Sequence, residues 1–199
     1  MRRGAYLPHW TQEGSVYAVT FRLHDSLPRS SLAKLKAEAA SLSPAVNLAG
    51  PGRQELHRKK AAEQFAERVE EWLDSGCGCC LLRDESAAQV VAHALSHFDG
   101  DRYSLMAWCV MPNHVHAMIR PLEKYALPAI LHSWKSYTAN VINKLLGRHG
   151  ELWQPEYYDR VIRDEDDFQR QVRYIIGNPE RAGLKDWKWV GYGRGMAAE

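Results

Sequence analysis

The stretch from residue 102 to residue 120 constrains the fold more than any other part of the chain. It contains two runs of mostly apolar residues, "RYSLMAWCVM" and "HVHAMIR". Between them stand Pro112 and Asn113, which are residue types typical of tight turns. Two such runs joined by a short turn predict a β-hairpin. The sequence therefore predicts an antiparallel pair of strands that reverses direction at Pro112 and Asn113.

Two histidines, His114 and His116, flank Val115 at the start of the second predicted strand. Side chains at i and i+2 of a strand point to the same face, so the imidazoles project together while Val115 points to the other face. Two neutral imidazoles side by side suit a divalent metal and leave coordination positions open, as a catalytic metal requires. The alternative is a pair of surface histidines beside a turn. A third ligand and a nucleophile elsewhere in the chain would separate the two interpretations.

Strand and helix patterns follow one another along the rest of the chain. Residues 14–23 are rich in β-branched and aromatic side chains and predict a strand, and residues 150–162 are predicted to be extended. Helices are predicted at residues 31–42, 55–74, 87–100, 127–147 and 164–179. This order is typical of an α+β fold with helices on one side of an antiparallel sheet.

The length of 199 residues suits one domain that spans the whole chain. Apolar residues make up 45% of it, which is enough for a core and too much for a disordered chain. The net charge is only +2, so a nucleic-acid partner would have to be argued from the local placement of charges. The Gly-rich tail near residues 190–199 is expected to be flexible.

No apolar run approaches the ~20 residues of a membrane span, and the N-terminus lacks the apolar core of a signal peptide. We therefore expect a cytoplasmic protein with no membrane partner. Cys77, Cys79 and Cys80 stand together, and Cys109 stands apart. Their spacing lacks the two separated pairs of a typical zinc site, so reduced thiols are expected.

The helix predicted at residues 164–179 begins with an aspartate cap and an acidic first turn, and is expected to stop at Asn178 before Pro179. Tyr174 and Asn178 are four residues apart and share a face, away from the centre of the apolar stripe. A phenol in this position can reach the edge of a site on the sheet. On these residues alone, a tyrosine at the margin of the core and an asparagine that caps the helix are the simpler explanation.

An ordered set of motifs resembles the REP-associated tyrosine transposases, a branch of the single-tyrosine HUH transposases. These motifs are "YLPHWTQEGSVYAVTFRLHDSLP", "AWCVMPNHVHAMI", "SWKSYTANVINK", "GELWQPEYYDRVIRD" and "YIIGNPERAGL". The resemblance extends from about Tyr6 to Leu184. It implies a ferredoxin-like antiparallel sheet with helices mainly on one face and the histidine motif on a central strand. Compared with the minimal fold of this group, the chain is longer near its start, and a helical insertion is expected near residues 28–75.

The resemblance implies a site as well. His114 and His116 match the metal-binding pair, Tyr174 matches the nucleophile, and Asn178 matches the polar metal ligand one turn later, where insertion-sequence relatives more often have Gln. The implied reaction is cleavage and rejoining of single-stranded REP hairpin DNA through a 5′-phosphotyrosine intermediate, with Mg²⁺ or Mn²⁺ as cofactor. One alternative is a catalytically silent protein that binds REP hairpins. Another is a hydrolase of small phosphate esters that uses the histidines alone.

A surface for single-stranded DNA is expected to combine cations with aromatic rings. The candidates for it are Arg2, Arg3, Lys135, Lys144, Arg148, Trp153, Tyr157, Arg160 and Arg163. The acidic run at 164–167 argues against a uniformly basic face. Tyr137 is the rival nucleophile to Tyr174, or else a packing tyrosine. A nucleoid-associated monomer or homodimer is expected.

Overall fold

The structure is a computed structural model that describes residues 2–3, 8–9, 14–27, 68 and 71–196. The backbones of Arg2–Arg3 (β1) and Pro8–His9 (β2) form a short antiparallel pair. The helix predicted at 31–42, most of the helix predicted at 55–74 and most of the predicted insertion lie outside the described residues. Residues 71–74 are helical, as predicted.

Five antiparallel strands form the central sheet, in the order β6-β3-β5-β4-β7. They are β3 (Tyr17–Arg22), β4 (Tyr103–Val110), β5 (His114–Pro121), β6 (Tyr158–Val161) and β7 (Val190–Tyr192). The predicted hairpin joins β4 to β5, and its turn is closed by the Met111 N–H, which donates to the His114 carbonyl at 2.8 Å. The predicted α+β class with an antiparallel sheet is confirmed.

Three helices are described in full: α1 (Glu85–His97), α2 (Leu127–Leu145) and α3 (Glu165–Arg181). An aspartate caps the first and the last of them. Asp84 accepts a hydrogen bond from the Ala87 N–H at 3.0 Å, and Asp164 accepts one from the Asp167 N–H at 2.8 Å. Within the described part of the chain, we find no helix with the length and apolar character that a membrane crossing needs.

The two faces of the sheet carry different helices. Helices α1 and α2 pack on the face that includes Phe21, Val115 and Ile119. Helix α3 packs on the other face, where its Ile175 is buried with Met118 of β5. The predicted one-sided arrangement therefore describes α1 and α2, while α3 covers the opposite face. Because side chains alternate along β5, its two histidines point to the α3 side.

Helix α3 ends later than predicted. It runs through Pro179 to Arg181. A proline lacks only its own N–H, so it removes a single hydrogen bond near the end of the helix. The helical pattern resumes at once, because the Ala182 N–H donates to the Asn178 carbonyl at 3.0 Å. The expectation that Asn178 ends the helix is therefore wrong.

The tail predicted to be flexible begins with a strand. Residues 190–192 form β7, which pairs with the edge of β4. Gly193 follows this strand and packs closely against β4. A Cβ built on Gly193 would lie 1.9 Å from the Leu105 carbonyl oxygen, so this glycine permits close packing and does not indicate mobility. Of the predicted tail, residues 197–199 lie outside the described residues. In the segment predicted to be extended, residues 150–162, the paired strand is β6.

Candidate active site

The imidazoles of His114 and His116 form the centre of the candidate site. Both are buried, with exposed fractions of 0% and 1%, and their Nε2 atoms lie 2.9 Å apart. The rings stand at 87° to each other. This edge-to-face arrangement directs both Nε2 atoms at one point on the α3 side of the sheet.

Both histidines are neutral near pH 7. Burial, with a smaller effect from the charge of Arg181, lowers the pKa of His116 to about 3. Burial, together with the neighbouring His116, holds the pKa of His114 well below its usual value. Desolvation disfavours the charged form of an imidazole. A neutral imidazole keeps one nitrogen lone pair, and this is the form that binds metals.

Asn113 fixes the tautomer of His114. Its amide nitrogen donates to the carbonyls of Leu73 at 3.0 Å and Cys77 at 2.9 Å. The amide oxygen therefore faces His114 Nδ1, at 2.7 Å, and can only accept a hydrogen bond. His114 must carry its proton on Nδ1, which leaves the lone pair on the Nε2 atom that faces His116.

Thr20 leaves His116 two possible tautomers. Its hydroxyl oxygen lies 2.8 Å from His116 Nδ1 and can donate or accept. If the hydroxyl donates, the proton of His116 is on Nε2 and is donated across the 2.9 Å gap to His114. If the hydroxyl accepts, both Nε2 atoms present lone pairs to each other, and that arrangement is stable only with a cation between them. Strand β3 brings Thr20 into this position by pairing directly with β5.

Helix α3 brings Tyr174 next to the pair. The ring centroids of Tyr174 and His116 lie 5.6 Å apart, at 87° to each other. The guanidinium carbon of Arg181 lies 4.0 Å from the centroid of the Tyr174 ring. Because residues 174 and 181 are two helical turns apart, the tyrosine and the arginine occupy one face of α3.

Asn178 lies one turn from Tyr174 on the same face of α3. It is fully buried, at 0% exposure, and neither its amide oxygen nor its amide nitrogen has a hydrogen-bond partner among the described residues. Buried polar side chains are hydrogen-bonded in the great majority of cases. Asn178 therefore has free donor and acceptor capacity on the helix face that also carries Tyr174.

Cys109 is the cysteine that the sheet places opposite His116. Burial raises the pKa of Cys109, which pairs across the sheet with His116, to about 12, so its thiol stays protonated. All four cysteines are free. Within the described ranges, no three His, Cys, Asp or Glu side chains already form a metal-binding group. The nitrogen and amide donors nevertheless fit a divalent cation, since imidazole nitrogen and amide oxygen are both common metal ligands.

The rival nucleophile lies on the other side of the sheet. Tyr137 belongs to α2, which packs on the face opposite His114 and His116, and its side chain is 49% exposed. The structure therefore brings Tyr174, and not Tyr137, to the histidine pair.

Trp153 does not lie on a DNA surface, contrary to the prediction. It is 6% exposed, its ring stands edge-on to Phe21 with centroids 4.8 Å apart, and its indole N–H donates to the Thr138 hydroxyl at 2.9 Å. The residue was predicted as a base-stacking platform because aromatic character alone does not distinguish surface from core. Here it closes the core between β3 and α2.

Two of the predicted DNA-binding cations are used within the protein. The Lys135 ammonium donates to the carbonyls of Gln154 and Pro155, and burial lowers its pKa to about 8. Arg160 donates twice to Asp167, at 2.9 and 2.7 Å. The other predicted positions include exposed Lys144 and Arg163 and half-buried Arg148 and Tyr157; of Arg2 and Arg3 only the backbone is described.

Three residues that touch the site were not predicted from the sequence. Asn113 was assigned only to the turn, although its position directly before His114 is a usable signal. Thr20 is 96 residues from its partner His116, and no local pattern connects them. Arg181 was missed because the helix that carries it was predicted to stop at Asn178.

Comparisons with known proteins agree with the motifs. A family model described as "Transposase IS200 like" matches residues 81–178. The REP-associated tyrosine transposase of Escherichia coli (strain K12) is 27% identical over 116 residues, which cover 55% of this chain and 67% of the relative. A putative REP-associated tyrosine transposase of Haemophilus influenzae is 26% identical over 112 residues, covering 49% and 63%. The chain thus spans about two thirds of the length of these relatives.

A solved structure shares the fold. A REP-associated tyrosine transposase bound to a REP hairpin matches with a TM-score of 0.56 and 18% identity, over 94% of this chain and 82% of that one. Tyrosine transposases are DNA-cleaving and rejoining enzymes, so the predicted enzyme class is confirmed at the level of the family. Together these findings confirm the predicted resemblance to the REP-associated tyrosine transposases.

Proposed function

We propose that this protein is a metal-dependent endonuclease and strand transferase for single-stranded DNA, with Tyr174 as nucleophile and REP-type hairpins as substrate. Its family already indicates transposase-like processing of DNA. One observation supports the proposed metal-dependent reaction at Tyr174 more than any other. The phenol ring of Tyr174 lies against His116, whose Nε2 is 2.9 Å from that of His114.

The proposed reaction uses the phenol oxygen of Tyr174. The phenol loses its proton to solvent, its oxygen forms a bond to the scissile phosphorus, and the bond from phosphorus to the 3′ oxygen breaks. The leaving 3′ oxygen takes a proton from water, and the 5′ phosphate stays on Tyr174. Rejoining is the reverse, with a 3′ hydroxyl as the attacking group. Because the phosphotyrosine conserves the ester bond, no nucleoside triphosphate is required.

His114, His116 and Asn178 would hold a divalent cation, Mg²⁺ or Mn²⁺. A bound cation polarises the scissile phosphate and offsets the charge that develops in the transition state. The orphaned Asn178 amide and the two neutral imidazoles support this donor set. Such help matters because an ordinary phenol, with a pKa near ~10, is a poor nucleophile at neutral pH.

Hairpin DNA as the partner rests on the relative that was solved with a REP hairpin. Lys144 and Arg163 are exposed at predicted positions and are candidates for phosphate contacts. Contacts of this kind release counterions, so binding should weaken as salt is raised. Binding that is independent of salt would argue against a phosphate surface.

The replacement Tyr174→Phe tests the nucleophile. We expect it to abolish the covalent protein–DNA adduct, because the attacking oxygen is gone, while binding of the hairpin stays close to wild type. The measurement is incubation with single-stranded REP DNA and Mn²⁺, followed by a denaturing gel and mass spectrometry of the adduct. The Tyr137→Phe variant is the matched control and should form adduct normally.

An undiminished adduct from Tyr174→Phe would contradict the assignment. Wild-type protein that binds hairpins yet never forms an adduct would favour the silent DNA-binding protein. A small phosphate ester hydrolysed equally by wild type and Tyr174→Phe would favour the hydrolase that uses the histidines alone.

A further inference from the structure

Asp74 lies beside the histidine pair although it comes from a separate part of the chain. It belongs to the helical residues 71–74, outside the segment that matches the family. Its Oδ1 atom lies 3.8 Å from Nε2 of His114, which is too long for a hydrogen bond. That nitrogen is the one that faces His116, so the carboxylate lies near the side of the His114 ring that faces the second imidazole.

The Oδ1 atom of Asp74 lacks a partner. It is buried and has no hydrogen-bond donor among the residues that the structure describes, although the side chain as a whole is 28% exposed. A buried carboxylate oxygen without a partner costs free energy. Burial raises the pKa of Asp74, and the charge of Arg181 opposes that shift. A packing role for Asp74 does not explain why its Oδ1 atom lacks a hydrogen-bond donor or why that atom lies close to His114. A cation bound between Asp74 and His114 would explain both observations.

The two distances measured from His114 Nε2 can be compared with those between ligands of one ion, although the three side chains do not already form a closed metal-binding group. Ligand atoms ~2.1 Å from an ion are about 3.0 Å apart at a right angle and about 4.2 Å apart on opposite sides. The Nε2 atoms of His114 and His116, at 2.9 Å, have the right-angle spacing. The 3.8 Å between Asp74 Oδ1 and His114 Nε2 lies between the two values.

The side chain of Asn113 links the segment that carries Asp74 to His114. Asn113 donates from its amide nitrogen to the carbonyls of Leu73 and Cys77, on either side of Asp74, and its amide oxygen faces His114. Leu73 is itself buried, which anchors this end of the helix. The carboxylate is therefore positioned by the same residue that fixes the tautomer of the first imidazole.

We propose that Asp74 is a further protein ligand of the cation held by His114 and His116. The inference rests on the metal site of the proposed function and adds to it a negative charge from outside the family-matched segment. A carboxylate oxygen suits Mg²⁺ and Mn²⁺ better than softer metals. It also offsets part of the charge of a divalent cation in a site whose other donors are neutral.

The test is Mn²⁺ binding to the full chain stripped of metal, measured by calorimetry without DNA. Asp74→Asn keeps the shape of the side chain and removes its charge, and we expect it to weaken Mn²⁺ affinity by about tenfold or more. Glu71→Gln, an exposed acidic residue of the same helical segment, is the matched control and should bind within about twofold of wild type. His114→Ala is the positive control for loss of the site.

Thermal unfolding without metal separates a ligand from a packing residue. Because Asp74→Asn removes the negative charge from a side chain whose buried Oδ1 atom lacks a hydrogen-bond donor, its Tm should equal or exceed that of wild type. Wild-type Mn²⁺ affinity in Asp74→Asn, or a weaker affinity accompanied by a lower Tm, would overturn the inference.

The adduct assay distinguishes this inference from the proposed function. Adduct on Tyr174 together with unchanged Mn²⁺ affinity in Asp74→Asn would remove Asp74 and leave the nuclease intact. Mn²⁺ binding that depends on Asp74, in a protein that never forms an adduct, would support the ligand and refute the nuclease.

Discussion

At the scale of single residues, the site depends on which nitrogen of each imidazole carries a proton. Asn113 leaves His114 one tautomer, whereas the Thr20 hydroxyl accommodates both tautomers of His116. Without a cation, a proton between the two Nε2 atoms holds the pair together. With a cation, that proton must move to Nδ1, and the Thr20 hydroxyl must turn to accept it. Thr20 therefore allows the pair to exist with and without metal.

Replacing Thr20 by Val tests this role. The change removes the hydroxyl and keeps the shape, so His116 loses the partner that orients its ring and accepts its Nδ1 proton. We expect Mn²⁺ affinity to fall by about 10- to 100-fold, as is typical when the partner of a metal-bound imidazole is lost. The measurement is calorimetry on protein stripped of metal.

The control for Thr20→Val is Thr138→Val, because Thr138 is a buried threonine on α2, across the sheet from the histidines. That variant should lose stability, since the Thr138 hydroxyl bonds with Trp134 and Trp153, while keeping its affinity for Mn²⁺. If both variants lost affinity equally, a general loosening of the fold would be the cause and Thr20 would have no specific role.

At the scale of elements, α3 is the part of the structure that joins the phenol to the sheet. Its residues at 174, 178 and 181 lie at spacings of four and three, so they form one stripe that faces β5. The Tyr174 ring contacts both the His116 ring and the Arg181 guanidinium. The three-residue extension of the helix beyond Asn178 is what carries Arg181 to that position.

We expect Arg181→Ala to slow adduct formation by about two- to fivefold, the equivalent of about 0.5–1 kcal/mol for an exposed cation above an aromatic ring. The loss follows because the guanidinium orients the phenol and supplies positive charge near the scissile phosphate. Single-turnover rates of adduct formation at saturating hairpin measure it. Arg173→Ala, an exposed arginine of the same helix next to Tyr174, should react at the wild-type rate. Equal rates for all three proteins would contradict the role of Arg181.

At the scale of the whole molecule, sequence patterns predicted the structural features that depend on residues close together in the sequence. The hairpin, the shared face of His114 and His116, and the Asp164 cap follow from alternation and capping within a few residues. The approach of Thr20 to His116 depends instead on strand pairing across 96 residues, and no spacing rule encodes it. The Gly-rich tail near residues 190–199 was predicted to be flexible because glycine permits close packing and flexibility alike, and at Gly193 it is the neighbouring β4 that decides between them.

The burial of two imidazoles links the site to the stability of the whole fold. In the folded protein, burial holds the pKa of His116 at about 3 and that of His114 well below its usual value. In the unfolded chain both should titrate near ~6.5. Above that pH both states hold neutral imidazoles, so stability does not depend on them. Below it the unfolded state binds more protons, and stability falls as the pH falls towards the folded pKa.

We therefore expect the metal-free protein to lose stability between pH 6.5 and 4.5, by up to about 1.4 kcal/mol per pH unit for each buried histidine. The measurement is the free energy of unfolding in urea with EDTA present, at several pH values. Carboxylates also titrate near the lower limit, so the comparison is with the double variant His114→Gln/His116→Gln, which lacks the two imidazoles and should have a shallower slope. If the two proteins gave parallel curves, the histidines would not be held neutral in the folded state. The lone pairs on which the proposed metal site depends would then be protonated in mildly acidic solution.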